Sequence, residues 1–346
     1  MAESITRGGE IYFIRERDYI TGEVSPYVKI GLTRDDRVSA ARQGDHQTGN
    51  PRELFLHHAE KVDMVQTVEK TLHWQFAAKR VTGEWFLLDD QLLAEAVAKC
   101  RALGIEFQSH IDAILAAERL GGIVSKGDPI AAPSGALEWW RKHQIADRIV
   151  SLCDDAVEKY REVLMSEIQE GKDVTKAGKA STQAKTVFDE DAFKAKYPDL
   201  WAAHLGPSSV GGRFTVTKMK DDELLANPDV AAEIPVVQSF EASIQRYVSN
   251  QISLDHLSKE YIEFLSRTEY YRTRELLAKH YLMSICGEAP EITGICKWKR
   301  TEKPGKLDRQ SLRVAAPDEY SEFVTTTQID VVNLKRKAGA AAADED

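Results

Sequence analysis

The sequence predicts an α+β protein, in which a small mixed α/β unit precedes a mainly helical, duplicated region with short strands. Three observations predict this class. Two apolar runs of strand length lie near the start, Glu10–Ile14 and Tyr27–Thr33. Apolar residues at helical spacing dominate most of the remaining chain. A pattern that begins at Phe188 also recurs at Leu307.

Composition restricts the possible functions. The 346 residues suffice for more than one core, and 42% hydrophobic with 29% charged residues is ordinary for a soluble protein. The net charge of −9 argues against a protein that coats nucleic acid through bulk positive charge. No signal peptide or membrane-spanning apolar run occurs, which predicts a cytoplasmic protein without a membrane partner. Four scattered cysteines without a C-x-x-C pair predict a reducing compartment and no zinc site: Cys100, Cys153, Cys286 and Cys296.

The first element is a hairpin of two strands. Its polar connection from Asp18 to Pro26 contains Gly and Pro, which is typical of a hairpin loop. After the second strand, a polar turn leads to Arg37 at the head of a helical segment. We therefore expect Tyr12, Lys29 and Arg37 to lie beside one sheet.

The next helix is predicted over Asp63–Phe76, where apolar residues recur every three or four positions. Glu69 directly follows an apolar position in it. Its carboxylate is therefore expected at the edge of the buried stripe, pointing toward the sheet. One carboxylate with phosphate oxygens and water suits Mg²⁺ or Mn²⁺, so Glu69 is the metal-ligand candidate.

These residue types suit hydrolysis of a phosphodiester, which needs an activated water, a cation near the developing charge and a proton for the leaving oxygen. Arg37 can bind two phosphate oxygens. Tyr12 has an ordinary pKa of ~10, so it needs a neighbouring cation or a metal-bound water to act as a base, and Lys29 on the adjacent strand can provide the cation. His46 and His73 are further acid-base candidates. Three arginines are candidates for local contacts with nucleic acid: Arg34, Arg42 and Arg52.

The segment from about Ile11 to Leu88 resembles the GIY-YIG nuclease superfamily, in particular its phage T5-orf-type branch. The resemblance is carried by Ile11-Tyr12, by Lys29-Ile30-Gly31 followed by Arg37, and by three later blocks: Gln47–Pro51, Val68–His73 and Gly83–Phe86. It implies a small nuclease fold, metal-dependent cleavage of DNA, and Arg37 as the catalytic arginine.

This segment departs from the superfamily pattern at three positions. Lys29 replaces the tyrosine of the second motif, Glu10 replaces the first glycine, and the late asparagine has no equivalent near Glu84.

Several of these residues also have a purely structural interpretation. Glu69 can pair with His73 one helical turn on, and His73 beside Trp74 can be a packing residue. Trp85-Phe86 is typical of a buried strand. Gln47–Pro51 has turn chemistry and can serve only to shape a loop.

The chain is predicted to have five parts: a nuclease-like unit at residues 1–120, a linker at 121–136, repeats at 137–220 and 221–334, and a disordered tail at 335–346. Helices are predicted at four places: Leu92–Leu103, His110–Leu120, Leu137–Ile168 and Leu254–Ile285. Thr175–Thr186 is predicted to be a loop or hairpin.

The internal repeat has a constant offset of 119 positions. Asp189 and Asp308 are expected to cap short helices, and Pro198 and Pro317 to end them. A β-like run follows each copy, Arg213–Thr217 and Gln328–Val332. The repeat is predicted to be a shared structural unit of helix, hairpin, short helix and strand, and it faintly resembles accessory segments of phage recombination nucleases.

The sequence therefore predicts a metal-dependent DNA endonuclease, related to phage or phage defence, whose helical region recruits substrate, a protein partner or a second copy of the chain. Two alternatives remain open. In one, Lys29 replaces a needed tyrosine and the first unit only binds nucleic acid or protein. In the other, the helical half works as an oligomeric assembly protein.

Overall fold

The structure is a computed structural model that describes residues 5–34, 39–47, 50–172, 174 and 177–334. Within them, the first unit is an antiparallel sheet in the order β3-β1-β2-β5-β4. Its strands are β1 (Gly9–Arg17), β2 (Val24–Arg34), β3 (Glu53–Val62), β4 (Arg80–Thr82) and β5 (Trp85–Leu87). Its helices are α1 (Ser39–Gln47), α2 (Val65–Gln75), α3 (Asp90–Gln108) and α4 (Ile111–Gly121). The predicted hairpin and helices are present.

The two faces of the sheet have different roles. Successive side chains of a strand point to opposite faces. Ile11 and Phe13 of β1 are fully buried in the core that α2 and α3 complete. Tyr12 and Ile14 lie in a smaller cluster with Leu54, on the face that α1 covers. Tyr12 is therefore held on the opposite face from the main core.

Strand β3 was missing from the sequence prediction. His57, His58, Glu60 and Lys61 interrupt its apolar pattern. It is ordered instead by pairing along the whole of β1, from Gly9 opposite Val62 to Arg17 opposite Glu53. This is a tertiary effect that single-strand patterning does not reveal.

Three long helices form the second core. They are α5 (Ala136–Gln169), α9 (Pro228–Val248) and α10 (Leu254–Cys286). Tyr160, Tyr261 and Phe264 are fully buried between them. α5 and α10 confirm the predicted helices, whereas α9 was not predicted. No described helix is both long and apolar enough to cross a bilayer.

Short helices α6 (Glu190–Lys196) and α11 (Arg309–Ala315) confirm the repeat. Asp189 accepts a hydrogen bond from the Ala192 amide, and Asp308 accepts from the Gln310 and Ser311 amides. Each helix is followed by another that begins at a proline, α7 (Pro198–Ala203) and α12 (Pro317–Ser321). The prolines thus end one helix and start the next, since proline suits the first helical position.

The two copies pair with each other. β6 (Gly178–Phe188) is antiparallel to β12 (Val324–Leu334), and β7 (Ser209–Gly211) to β11 (Thr301–Lys303). Phe188 lies opposite Val324, and Leu205 opposite Leu307. Phe188 and Leu307 are equivalent positions of the two copies, 119 residues apart, and so are Leu205 and Val324. The second pair is therefore the first pair with the two copies exchanged, which means that the repeats are related by an approximate twofold rotation. The loop or hairpin predicted at Thr175–Thr186 is wrong, because the chain from Gly178 onward forms β6, which pairs with β12; residues 175 and 176 lie outside the described part.

The other elements of the helical region are small. They are α8 (Asp221–Leu225) and the sheet of β8 (Thr215–Val216), β9 (Glu291–Ile292) and β10 (Cys296–Lys297). Ile130, in the predicted linker, bridges to Ile292 of β9.

Helix α10 connects the two cores. Glu269 forms an ion pair of 2.8 Å with Lys70, and Tyr270 stacks on Trp74 at 4.0 Å between ring centroids. Leu277 is buried in the core of the first unit. α2 therefore lies between the sheet and α10.

Candidate functional site

Tyr12 lies opposite Gly31 in the pairing of β1 with β2. A Cβ atom at residue 31 would lie 2.4 Å from the Tyr12 hydroxyl oxygen, so only glycine leaves room for this ring. The hydroxyl oxygen lies 3.2 Å from Nε2 of His46 on α1. The lysine-isoleucine-glycine run thus contributes the space in which Tyr12 lies.

Glu10 fixes the start of α1. Its Oε2 accepts hydrogen bonds from the backbone amide and hydroxyl of Ser39, and these bonds lower the pKa of Glu10. A carboxylate at a helix start is favourable because the first amides lack partners. The residue that replaces the motif's glycine therefore positions the helix that carries Arg42 and His46.

Lys29 pairs with Glu84 rather than with Tyr12. Its Nζ donates to Glu84 Oε2 at 2.7 Å. Burial opposes ionisation of Glu84, but the adjacent Lys29 outweighs it and lowers the pKa of Glu84. The cation whose charge lowers the pKa of Tyr12 is Arg42. The expectation that Lys29 serves as the cation for Tyr12 is therefore corrected.

Glu69 of α2 is partly buried beside this ion pair. Burial raises the pKa of Glu69 to about 8, and the Glu84 carboxylate adds to the shift, whereas Lys70 and Lys29 oppose it. The Glu69 carboxylate has no hydrogen-bond or ion-pair partner among the described residues. The alternative in which Glu69 pairs with His73 is not seen.

The electrostatic interactions join Tyr12 to the same group. Burial raises the pKa of Tyr12 to about 12, Glu84 and Glu69 add to the shift, and Arg42 opposes it. Burial lowers the pKa of His46, with further contributions from Lys29 and Arg42. At neutral pH, the pair is therefore a protonated tyrosine beside a neutral imidazole, which can relay a proton.

His73 lies in the interior of the unit. Its Nε2 donates to the Ile30 carbonyl at 2.9 Å, and its ring packs on Phe86 at 5.2 Å between centroids. Burial lowers its pKa to about 4. This geometry favours the structural interpretation of His73, as a link between α2 and β2. Phe86 is fully buried, as the strand interpretation expects.

The arginine candidates do not share one location. Arg34 ends β2 opposite Gly9, while Arg52 contacts Glu16 at 3.6 Å near the other end of β1. Of the three, only Arg42 interacts with Tyr12. The expectation that Arg34 and Arg52 surround the same cleft is therefore corrected. Arg37, the candidate for charge stabilisation, lies outside the described residues.

The Gln47–Pro51 block has a structural role where it is described. Gln47 accepts from the Leu54 amide at 2.7 Å and donates to the Arg52 carbonyl at 2.9 Å. Asn50 accepts from the Arg52 amide. These bonds close the loop between α1 and β3, whereas Thr48 and Gly49 lie outside the described part.

The described residues could hold a divalent cation only with a small number of protein ligands. No cluster of three or more His, Cys, Asp or Glu suited to metal binding occurs among the described residues. Glu69 supplies an unpaired carboxylate, and the neighbouring Glu84 carboxylate contributes, after burial, to its raised pKa. Mg²⁺ keeps several waters and often binds through one or two carboxylates plus phosphate oxygens. The residues present fit such an ion.

Sequence reasoning missed the roles of Glu84 and Glu10. In the sequence, Glu84 is only a member of a block that carries the resemblance, and Glu10 is only a departure from the motif's glycine. Both are charged residues inside recognised motif blocks, next to Trp85 and Ile11 respectively. For Glu10, the available signal was a charged residue where the first motif has a glycine.

Comparison with known families gives one match, which covers residues 9–102 and therefore the sheet, α1, α2 and most of α3. Comparisons with curated proteins and with solved structures find no match. The matched family is a nuclease-like domain family, and this similarity is broadly consistent with a DNA-related function. Residues 9–102 match the model of the T5orf172 domain.

Proposed function

We propose that the first unit is a DNA endonuclease that hydrolyses phosphodiester bonds with Mg²⁺ or Mn²⁺ held by Glu69. The observation that carries the proposal is the unpaired Glu69 carboxylate, coupled electrostatically to Lys29, Glu84 and Tyr12. A partly buried acid with a raised pKa beside other charged groups is typical of a functional site. When bound, the ion would supply positive charge to the phosphate oxygens.

The protein residues supply the remaining chemistry. His46 is neutral and lies 3.2 Å from the Tyr12 hydroxyl, so it can take the proton that Tyr12 gives up as Tyr12 accepts one from the attacking water. This relay removes the need for a free phenolate. Arg42, beside Tyr12, can bind a phosphate oxygen, and Arg37 is the proposed donor to the developing charge.

The test is a cleavage assay on duplex, single-stranded and branched DNA with Mg²⁺ or Mn²⁺. We expect cleavage to require the cation and to be lost in Glu69→Ala. Arg37→Ala should lower the rate by roughly 10²-fold, the scale for removing a preorganised charge-stabilising donor. Binding should change less in Glu69→Ala, because this carboxylate repels phosphate when no metal is bound. Full cleavage by Glu69→Ala in EDTA would rule the mechanism out.

A non-catalytic binding domain is the second candidate, and one contact favours it. Glu84 engages Lys29 at 2.7 Å and adds to the pKa increase of Tyr12. Both effects work against a tyrosine base. If this alternative holds, wild-type protein binds DNA but leaves every substrate intact in either cation.

A further inference from the structure

A second concave surface lies between the first unit and the helical region. It is a cleft of about 630 Å³. Its aromatic lining comes from α2 and the turn after it, and from α9: Trp74, Phe76 and Phe240. Small-molecule sites typically occupy ~300–1,000 Å³ and concentrate at domain junctions. None of Tyr12, Lys29, Glu69 and Glu84 lines it, so it is separate from the site above.

The aromatic walls of the cleft are held in place from behind. Trp74 stacks on Tyr270 at 4.0 Å between centroids, and Phe240 packs on Phe264 at 4.3 Å. Each wall residue is nevertheless only partly buried. Rigid aromatic surfaces that stay open to solvent suit a flat ring, because little conformational entropy is lost when the ring binds.

The rim of the cleft carries charges of both signs. Arg267 is committed to Glu233 through two hydrogen bonds of 2.7 Å. Lys99 on α3 and Glu263 on α10 also line the cleft, are exposed, and have no ion-pair partner among the described residues. Gln75 lines the cleft too, and its Oε1 finds no donor in the described chain. Within the described chain, the cleft therefore offers an exposed ammonium group and an exposed carboxylate, neither of them in an ion pair.

We propose that this cleft binds a nucleotide through its base. The ring lies against the aromatic walls, an exocyclic amino group donates to Glu263, and the phosphate contacts Lys99. A base with an amino group matches a carboxylate acceptor, and a phosphate matches an exposed ammonium. The ligand can be a free nucleotide or one nucleotide of a single strand, since both present the same groups. The proposal goes beyond phosphodiester hydrolysis and does not require it.

The test is calorimetric titration of the full chain with dAMP, dCMP and dTMP. We expect dAMP and dCMP to bind about tenfold or more tightly than dTMP, which lacks the exocyclic amine that donates to the Glu263 carboxylate. Lys99→Ala and Glu263→Ala should each weaken dAMP binding about fivefold or more. The controls Lys218→Ala and Glu162→Ala change the same exposed charges outside the cleft and should have no effect.

A second titration separates the two sources of the ligand. If a short adenine-rich single strand binds more tightly than dAMP and is weakened by Lys99→Ala and Glu263→Ala, the cleft takes a nucleotide of a strand. Binding of dAMP alone identifies a free nucleotide. Glu69→Gln should bind dAMP as wild type does, so loss of hydrolysis is distinguishable from failure here. The proposal is overturned if dAMP does not bind at millimolar concentration and the strand's affinity is unchanged in both cleft variants.

Discussion

The negative charge of the Glu69 carboxylate can be neutralised in two ways, by a proton or by a bound cation. Its pKa of about 8 means that, without metal, the proton is favoured at neutral pH. A divalent ion must displace that proton, so metal affinity should rise with pH up to about 8. The residue proposed as metal ligand thus also sets the pH at which the site can load.

The proton on Glu69 makes the free energy of unfolding depend on pH. The folded pKa of Glu69 lies above the ordinary value of 4.5, so between these two pH values the folded state binds more protons than the unfolded chain. The contribution to stability is complete below about pH 4.5 and is lost as pH rises toward 8. In EDTA, wild type should therefore lose roughly 1–3 kcal/mol relative to Glu69→Gln between pH 5 and pH 8, since one pKa unit corresponds to about 1.4 kcal/mol and partial exposure reduces the effect.

Urea unfolding of both proteins at several pH values measures this difference. Subtracting the variant removes contributions from the other titrating groups, which both proteins share. Parallel pH profiles for the two proteins would contradict a raised pKa at Glu69.

Gly31 is the second position at which one residue determines the site. In Gly31→Ala the added Cβ must displace the Tyr12 ring, because it would lie 2.4 Å from the hydroxyl oxygen. We expect a loss of about 1–3 kcal/mol in stability, the usual range for overpacking, together with loss of the Tyr12–His46 contact. Cleavage should then fall at least as far as in Tyr12→Phe.

Gly44 provides the control, since it lies in α1 with nothing within 4 Å of an added Cβ. Gly44→Ala should be neutral or stabilise by up to about 1 kcal/mol. Chemical unfolding and a cleavage assay on the three variants check both expectations. Equal effects of the two glycine substitutions would mean that Gly31 acts through the backbone alone.

Among the elements, α2 is the helix that packs on both the sheet and α10. Its buried face, with Val68 and Leu72, packs on the sheet, and its outer face contacts α10 through Lys70 and Trp74. Glu69 lies between these two faces. The direction of its carboxylate therefore depends on how α10 holds the helix.

Removing the stack on Trp74 tests this dependence. Tyr270→Ala should cost about 1–3 kcal/mol of stability and also reduce metal-dependent cleavage, because α2 loses its outer support. Tyr281→Ala is a matched control: it removes a stack of 3.8 Å on Trp139 from the same helix. It should destabilise to a similar extent and leave cleavage nearly unchanged. Cleavage that falls equally in both variants would indicate a general loss of folding.

The sequence predicts an element well when the interactions that stabilise it join residues close in the chain, and poorly when they join distant residues. The short helices after Asp189 and Asp308 were predictable because a side-chain cap and a following proline are local signals. β3 was not, because its order comes from pairing with β1. The same holds in the site: the sequence indicates Tyr12, Lys29 and Glu69 as candidates, but Glu84 as the partner of Lys29 depends on a turn 55 positions away.

For the whole molecule, the duplication builds one unit from two copies. The backbone N–H of Asp189 donates to the Phe323 carbonyl of the other copy at 3.0 Å, and the backbone N–H of Asp308 donates to the His204 carbonyl at 2.9 Å. These two hydrogen bonds are equivalent under the twofold rotation, and each joins one copy to the other. Neither repeat can therefore complete its own strand pairing, which makes the pair a single folding unit.

The overall charge determines how the molecule engages DNA. With 55 acidic and 46 basic side chains, only a local group of cations can neutralise phosphates. Arg34 and Arg52 lie at different ends of the sheet and Lys29 is paired with Glu84, which leaves few cations near the site. The logarithm of the affinity for DNA should thus fall linearly as the logarithm of the salt concentration rises. We expect a slope equivalent to about two to four phosphates, at roughly 0.9 per phosphate.

Fluorescence anisotropy measures this slope without cleavage when a labelled duplex is titrated with Glu69→Gln, between about 50 and about 200 mM salt. Arg42→Ala should lower it by about one, while the exposed control Lys218→Ala should not change it. A slope equivalent to about seven or more phosphates would instead require an extended basic surface, which this charge distribution does not provide.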